Sequence, residues 1–404
     1  MSLPVASRIR QAALLAALAA TAVFTACGGG GSADAGATGA SSITPTAFTQ
    51  GTITGFGSIV VNGVRFDESA ASVSDDAGNA STAQALRLGM RVEVDHADVD
   101  ARASTARAAA VRYGSLVLGP VASVDAAGNS LTVLGQVVDI SRSTVFSETL
   151  AAGLSALAVG AVIEVHGQAD AATGHVSATR VEAASNATRY KLRGSVAGLN
   201  TSAKTFNIGA AAISYATLAS TAVPSNLADG VALRVELATV QSGGFWVASA
   251  LGVKGPRGEH GNGLGGHVRG KITAFTSSSS FTLDGVVVDA SGASFPDGSS
   301  GLALGVEVEV DGTVSKGVLV ANKVSIESRH QGDDSHQWQL FGAITALDTA
   351  AKTFVVRGVT VTYGAATTYV GGSLADLAVG RKVHVKGSVG STRSQVQAAV
   401  VSFE

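Results

Sequence analysis

The sequence has a single cysteine, few aromatic residues and almost no net charge, and each shortage narrows what the protein can be. Because Cys27 is the one cysteine among 404 residues, no disulfide can form within the chain. Aromatic residues make up 5% of the sequence and the formal net charge is -2, so base-stacking platforms are scarce and no basic stripe for phosphates exists. We therefore expect no nucleic acid among its partners.

Sequence motifs that commonly mark enzymes are also missing. The chain contains no Gly-x-Ser-x-Gly elbow, no His-Glu-x-x-His motif and no pair of cysteines that could hold zinc. Its carboxylates lie mostly at predicted turns, and no spaced pair recurs along the chain in the way that a glycosidase would need. These absences predict a protein that is not an enzyme and that needs no cofactor.

What the chain has in abundance is glycine, together with valine, threonine and serine. The 50 glycines include several Asn-Gly and Asp-Gly pairs, which are typical of two-residue hairpin turns, whereas only 6 prolines occur. Segments such as residues 306–311 (VEVEVD) alternate strictly between apolar and charged residues, as strands with one buried face do. The composition predicts an all-β protein of short strands with little helix.

A unit of roughly 70 residues recurs five times after residue 47, which is the strongest organising feature of the chain. Each unit opens a strand with a glycine, at Gly51, Gly119, Gly194, Gly270 and Gly342. A second glycine marks a hairpin between two β-rich runs, at Gly63, Gly135, Gly209, Gly285 and Gly358. A third begins another strand, at Gly89, Gly160, Gly230, Gly305 and Gly380.

The repeat predicts five modules, with boundaries at residues 48–114, 115–188, 189–255, 267–328 and 337–404. Two polar, turn-rich segments separate the last three modules, the linkers 256–266 and 329–336. Some six short strands in so few residues favour a small closed barrel, because closure pairs the sheet edges. Five such barrels in a row would reach roughly 150 Å, so we expect a rod or a bent string of modules.

The N-terminus has the pattern of an export signal. Two arginines precede an apolar stretch that is too short to span a bilayer, and small residues lead up to Cys27. The segment ending in Cys27 resembles the lipobox of bacterial lipoproteins, which implies lipidation of Cys27 and an outer-membrane location, on the periplasmic or the cell-surface face. The alternative is an ordinary secreted protein with a free thiol. Residues 28–47 are rich in Gly, Ser and Ala and predict a flexible tether.

Residues 55–66 (GFGSIVVNGVRF) and 86–94 (LRLGMRVEV) resemble the bacterial lipoprotein repeat known as domain of unknown function 5666. The resemblance is weaker in the second, fourth and fifth modules, and it is weakest in the third, whose hairpin lacks an Asn-Gly or Asp-Gly pair. It implies an exported protein made of tandem small barrels with a shape like the oligonucleotide/oligosaccharide-binding fold. It implies no catalytic residues.

Histidines in and beside the two linkers are the candidate metal ligands. Imidazole and carboxylate groups together suit a divalent transition metal, and an ion bound at a junction could brace two barrels. The candidate residues are His260, His267, His330, His336, Asp333 and Asp334. The alternative is that solvated linkers simply collect polar residues.

The two tryptophans, Trp246 and Trp338, are candidates for stacking on a sugar ring, although burial in a core or an interface is the commoner use of tryptophan. Taken together, the sequence favours a non-enzymatic outer-membrane lipoprotein that acts as an envelope scaffold, spacer or interaction surface. The expected partners are the membrane, through the lipid, and other envelope proteins or polysaccharide. The alternative function is the binding of envelope polysaccharide or a divalent metal.

Overall fold

The computed structural model describes residues 43–252, 261–327 and 338–404. The predicted signal peptide and most of the predicted tether therefore lie outside the described residues. The helices of the described ranges are short 3-10 turns, at Ala83–Ala85, Glu148–Leu150, Gly153–Ala156, Ser220–Ala222 and Leu374–Asp376. Within these ranges, no helix has the length and the apolar character that crossing a membrane requires.

Module 1 contains the strands β1 (Ala47–Phe56), β2 (Ile59–Val61), β3 (Val64–Asp67), β4 (Ser72–Asp75), β5 (Ala80–Ser81), β6 (Arg91–His96) and β7 (Thr105–Tyr113). Module 2 contains β8 (Val117–Asp125), β9 (Ser130–Val133), β10 (Gln136–Phe146), β11 (Val162–Asp170) and β12 (His175–Ala183). Module 3 contains β13 (Tyr190–Ser195), β14 (Ala197–Asn200), β15 (Thr205–Ile208), β16 (Ala211–Ser214), β17 (Ala232–Leu237) and β18 (Trp246–Gly252). Module 4 contains β19 (Gly265–Ser277), β20 (Ser280–Leu283), β21 (Val286–Asp289), β22 (Glu307–Ser315) and β23 (Val318–Ile326). Module 5 contains β24 (Trp338–Asp348), β25 (Thr353–Val356), β26 (Val359–Thr362), β27 (Thr368–Val370), β28 (Lys382–Val389) and β29 (Val396–Phe403).

The same strand order recurs in each module, with the first strand of module 3 divided into β13 and β14, so the predicted all-β fold of tandem small barrels is confirmed. In module 1 the circuit runs β1, β2, β3, β7, β6 and back to β1. The pairing of β3 with β7 is parallel, and the other four are antiparallel. Module 4 repeats the circuit as β19, β20, β21, β23 and β22. Closure satisfies the backbone groups that an open sheet would leave at its edges.

The first two landmarks of the repeat meet in space, which explains the glycine in each first strand. A Cβ atom on Gly51 would lie 2.1 Å from Asn62 Oδ1, and one on Gly119 would lie 2.5 Å from Leu134 Cγ. Asn62 and Leu134 open the hairpin turns of their modules with φ values of 50° and 48°. Glycine in the first strand therefore allows the hairpin to fold down onto the barrel wall.

Three hydrophobic cores serve the five modules. Modules 1 and 5 share one core, which contains Phe66 from β3 and Phe354 from β25. Modules 2 and 3 share another, with Phe146 from β10 and Phe206 from β15. The third core fills module 4 and also takes in Phe48 from β1 of module 1. Modules that are distant in sequence are thus joined by common apolar packing.

The predicted row of modules is wrong, because module 1 pairs with modules from the far end of the chain. Strand β1 runs parallel to β19 over Ala47–Gln50 and, further along, parallel to β24. Ion pairs add further connections across modules. Lys271 of module 4 contacts Asp170 of module 2, and Arg193 of module 3 lies 2.9 Å from Asp76 of module 1. The modules form an interlocked set instead of a string in which each contacts only its sequence neighbours.

Candidate metal centre

Strands β19 and β22 of module 4 bring one of the predicted ligands, His267, beside two carboxylates. The antiparallel register places His267 opposite Asp311. Because alternate residues of a strand share a face, Glu309 lies on the same face as Asp311. His267, Glu309 and Asp311 each offer one ligand atom, and these atoms lie within 4.8 Å of one another. We call this group the β19–β22 site.

Asp311 fixes the orientation of the imidazole. His267 Nδ1 lies 2.6 Å from Asp311 Oδ1, and this hydrogen bond lowers the pKa of the Asp311 carboxyl. Burial alone would lower the pKa of His267, but the hydrogen bond to Asp311 and the charges of Glu309 and Asp311 outweigh it and raise that pKa. A carboxylate that accepts from one imidazole nitrogen holds the other nitrogen toward a metal in many metal sites.

The other imidazole nitrogen faces Glu309. His267 Nε2 lies 3.5 Å from Glu309 Oε1 and has no hydrogen-bond partner. Two ligands bound to one tetrahedral zinc ion lie about 3.4 Å apart, given metal–ligand distances of about 2.0–2.1 Å. The two side chains are 23% and 27% exposed, so an ion could reach them from solvent. The spacing is therefore that of two ligands sharing one ion.

The remaining predicted ligands and the lipidation residue lie outside the described residues, and their roles stay predictions. They are His260, His330, His336, Asp333, Asp334 and Cys27. The partners of His267 in the structure come from β22, on a neighbouring strand of its own barrel. The sequence predicted partners for His267 within the linkers. The alternating carboxylates of residues 306–311 are the feature that could have identified the actual partners.

The two tryptophans occupy different environments. Trp338 is 2% exposed and packs in the core shared by modules 1 and 5, so its suggested stacking on a ligand is corrected: both faces of the ring are covered. Trp246 is partly buried against the core of modules 2 and 3. Its ring centroid lies 5.7 Å from that of Tyr190 in an edge-on contact. A stacking role for Trp246 stays a prediction.

A second histidine group, which the sequence analysis did not single out, lies in module 2. Glu164 and His166 share a face of β11, and Glu182 comes from β12. One ligand atom from each residue lies within 4.8 Å of the others. The alternation of Glu164 and His166 is visible in the sequence, but bringing Glu182 to them depends on the register of the β11–β12 hairpin.

A polar cleft of about 360 Å³ lies where modules 1, 2, 4 and 5 meet. Hydroxyl and amide side chains line it together with Arg91, Arg269 and Lys271. The cations already have acidic partners. Arg91 pairs with Asp284, Lys271 pairs with Asp170, and Arg269 is paired as well. Because these charges are compensated, the cleft contributes mainly to holding the modules together.

Comparison with known proteins identifies a repeat family. The family described as Domain of unknown function (DUF5666) matches residues 50–103, 119–182, 269–325 and 341–401, which fall in modules 1, 2, 4 and 5. No curated protein matches the chain. Among solved structures, one named drosophila Unr CSD456 is 13% identical, and the match covers 54% of this chain and 98% of that chain. Its TM-score of 0.13 is too low to indicate a common fold.

Proposed function

The chain belongs to the family described as Domain of unknown function (DUF5666), whose name states no activity, so we propose a function from the geometry of the β19–β22 site. The protein is a non-enzymatic envelope protein that binds a divalent transition-metal ion through His267 Nε2 and Glu309, with Asp311 holding the imidazole in place. In this proposal Cys27 carries the lipid that anchors the protein in the outer membrane, and residues 28–47 tether the modules to it.

The observation that carries the proposal is the position of His267 Nε2. This atom is buried, has no hydrogen-bond partner and lies 3.5 Å from Glu309 Oε1. A polar atom in that state is costly unless a ligand satisfies it. An imidazole nitrogen beside a carboxylate suits zinc and similar borderline ions better than calcium or magnesium, which take oxygen ligands.

The proposal takes a metal ion as the ligand in preference to envelope polysaccharide. Sugar rings are commonly bound by stacking on aromatic side chains. Trp338 is buried, and none of the residues that line the polar cleft is aromatic. The β19–β22 site, by contrast, places nitrogen and oxygen ligand atoms within 4.8 Å of one another.

The test is calorimetric titration of the detergent-purified, chelator-treated full chain with Zn²⁺. Replacing His267→Gln keeps a polar side chain but removes the Nε2 ligand, so one equivalent of bound zinc should be lost. Zinc should also raise the thermal stability of the unmodified protein by mass action, and this effect should shrink in the variant.

A matched control comes from module 2. His175 Nδ1 lies 3.0 Å from Asp139 Oδ2, so it forms a similar histidine–aspartate pair, yet neither residue belongs to the three-ligand groups of the described ranges. His175→Gln should leave the zinc stoichiometry unchanged. An unaltered stoichiometry in His267→Gln would refute the assignment of the β19–β22 site.

A second function, an envelope scaffold, is favoured by the interlocking of the modules. Shared cores and the pairing of β1 with β19 and β24 would hold several outward faces of the barrels in fixed relation. We propose other envelope proteins as the partners. Crosslinking in native envelopes should then enrich the same proteins with the unmodified chain and with His267→Gln. Enrichment that does not exceed an untagged control would contradict a scaffold role.

A further inference from the structure

The group of Glu164, His166 and Glu182 in module 2 is built differently from the β19–β22 site. His166 is 1% exposed, and it lies on β11 opposite Arg180 of β12. Glu164 and Glu182 occupy directly opposed positions in the same antiparallel hairpin. Like charges that face each other across a ladder are destabilising unless a cation lies between them. The hairpin therefore places two mutually repelling carboxylates beside a buried imidazole.

The imidazole of His166 is held so that one nitrogen is available to a ligand. Its Nδ1 lies 3.1 Å from the carbonyl oxygen of Gly114 and donates to it. A neutral imidazole with its proton on Nδ1 carries a lone pair on Nε2. That Nε2 is buried, has no hydrogen-bond partner and lies 3.8 Å from Glu182 Oε2. A buried acceptor without a partner is rare in native proteins, and it points to a bound group.

Glu182 divides its two oxygens between different neighbours. Arg180 Nε donates to Glu182 Oε1 at 2.6 Å, which leaves Oε2 on the side of His166. One ligand atom from each of Glu164, His166 and Glu182 lies within 4.8 Å of the others.

We propose that His166 Nε2, Glu164 and Glu182 bind a second divalent transition-metal ion of the zinc class. Zinc is bound by histidine nitrogen and by carboxylate oxygen, and three protein ligands leave a fourth position for water. A separation of 3.8 Å between two ligand atoms needs only a small side-chain adjustment to reach the roughly 3.4 Å of a tetrahedral site. This inference does not depend on the β19–β22 site, because the two groups share no residue.

The position of the second ion gives it a structural role at the junction of modules 1 and 2. Gly114, which accepts from His166, lies in the short connection between β7 and β8. Arg180, the partner of Glu182, also donates to the carbonyl oxygen of Leu88 in module 1 at 3.1 Å. An ion that fixes His166 and Glu182 would therefore restrain both attachments of module 1 to module 2.

The test compares four variants of the detergent-purified, chelator-treated full chain by competition for Zn²⁺ with a chromophoric chelator. Glu164→Gln keeps the shape of the side chain and removes one ligand charge. The unmodified protein should bind two equivalents, Glu164→Gln and His267→Gln one each, and the double variant none. Glu148→Gln, an exposed carboxylate of the same module outside the group, should still bind two.

The outcomes separate the two sites. Loss of one zinc equivalent in Glu164→Gln but not in His267→Gln would support the module 2 site and refute the proposed function. Loss in His267→Gln but not in Glu164→Gln would support the proposed function and refute the module 2 site. Hydrogen exchange gives a second readout, because zinc should slow exchange in residues 86–90 and 114–118 of the unmodified protein but not of Glu164→Gln. Two equivalents retained in Glu164→Gln, or binding that saturates only at millimolar zinc, would overturn the inference.

Discussion

Replacing Phe48→Ala should weaken module 4, although Phe48 belongs to the first strand of module 1. The ring is 1% exposed and lies in the core of module 4 together with Val268 and Phe281. Truncating a buried phenylalanine to alanine removes its packing and leaves a cavity. The cavity would lie at the point where β1 runs beside β19.

The expected loss is at the upper end of the usual range. Phenylalanine-to-alanine changes in cores cost about 3–5 kcal/mol, and the cost is larger where the surroundings cannot collapse. A Cβ atom on Gly266 would lie 2.8 and 2.9 Å from carbons of the Phe48 ring, so the ring rests directly on the backbone of β19. That backbone is held by its pairing with β22 and cannot close the gap. We therefore expect a loss of about 4–5 kcal/mol.

The assay is denaturant unfolding combined with hydrogen exchange measured by peptide. Phe48→Ala should speed exchange in β1 and in β19 to β23, and it should leave β13 to β18 unchanged. Phe206→Ala is a matched control, because Phe206 is equally buried but lies in the core of modules 2 and 3. It should destabilise β13 to β18 instead. A loss below about 1 kcal/mol in Phe48→Ala, or unchanged exchange in module 4, would refute the shared core.

Two further predictions concern the seams between modules. Gly89→Ala should lower the melting temperature far more than Gly160→Ala. Both glycines have positive φ, but a Cβ on Gly89 would lie 2.6 Å from a backbone atom of module 2, whereas a Cβ on Gly160 would meet nothing within 4 Å. Equal melting shifts would contradict this. Burial raises the pKa of Asp170, but the hydrogen bond and charge of Lys271, together with two backbone donors, outweigh it and lower that pKa. The ionised Asp170 carboxylate therefore stabilises the fold above its unfolded pKa of about 3.9, and this stabilisation is lost as the pH falls through the lower folded pKa. In acid titrations, Asp170→Asn should therefore lose less stability below about pH 4 than the unmodified protein. An identical acid profile would count against the ion pair.

The barrels could be predicted from the sequence because each depends on local signals that the chain repeats. Recurring glycines mark the hairpin turns and the strand positions beneath them, as Gly63 and Gly51 illustrate. Alternating apolar residues give the strands their buried faces. The sequence also showed that the third module departs from the repeat, since its hairpin at Gly209 lacks a preceding Asn or Asp.

The arrangement of the modules could not be predicted, because it depends on contacts between distant segments. Phe48 and Gln50 alternate like any strand residues, and nothing local indicates that Phe48 enters a barrel formed by residues after 264. The assumption that repeats contact only their sequence neighbours suits solenoids. Here the first strand pairs with β6 of its own barrel along one edge and with β19 of module 4 along the other, and the second pairing supplies contacts that a linear row would lack.

The candidate metal residues were partly predictable. His267 was singled out from its position beside a linker, but its partners, Glu309 and Asp311, come from the neighbouring strand β22. Strand alternation shows which residues of one strand share a face. It does not give the register between strands, which decides which side chains become neighbours. The same limit explains why His166 was missed, since Glu182 reaches it only through the pairing of β11 with β12.

The double pairing of β1 determines how the protein would respond to mechanical load. Over Ala47–Gln50 this strand is hydrogen-bonded to β6 on one side and to β19 on the other. A pull transmitted from the N-terminal side would act along the strand, across the perpendicular hydrogen bonds to β6 and the slanted ones to β19. Those bonds would be loaded in shear and would have to rupture together, whereas a hairpin pulled open from its end unzips one bond at a time.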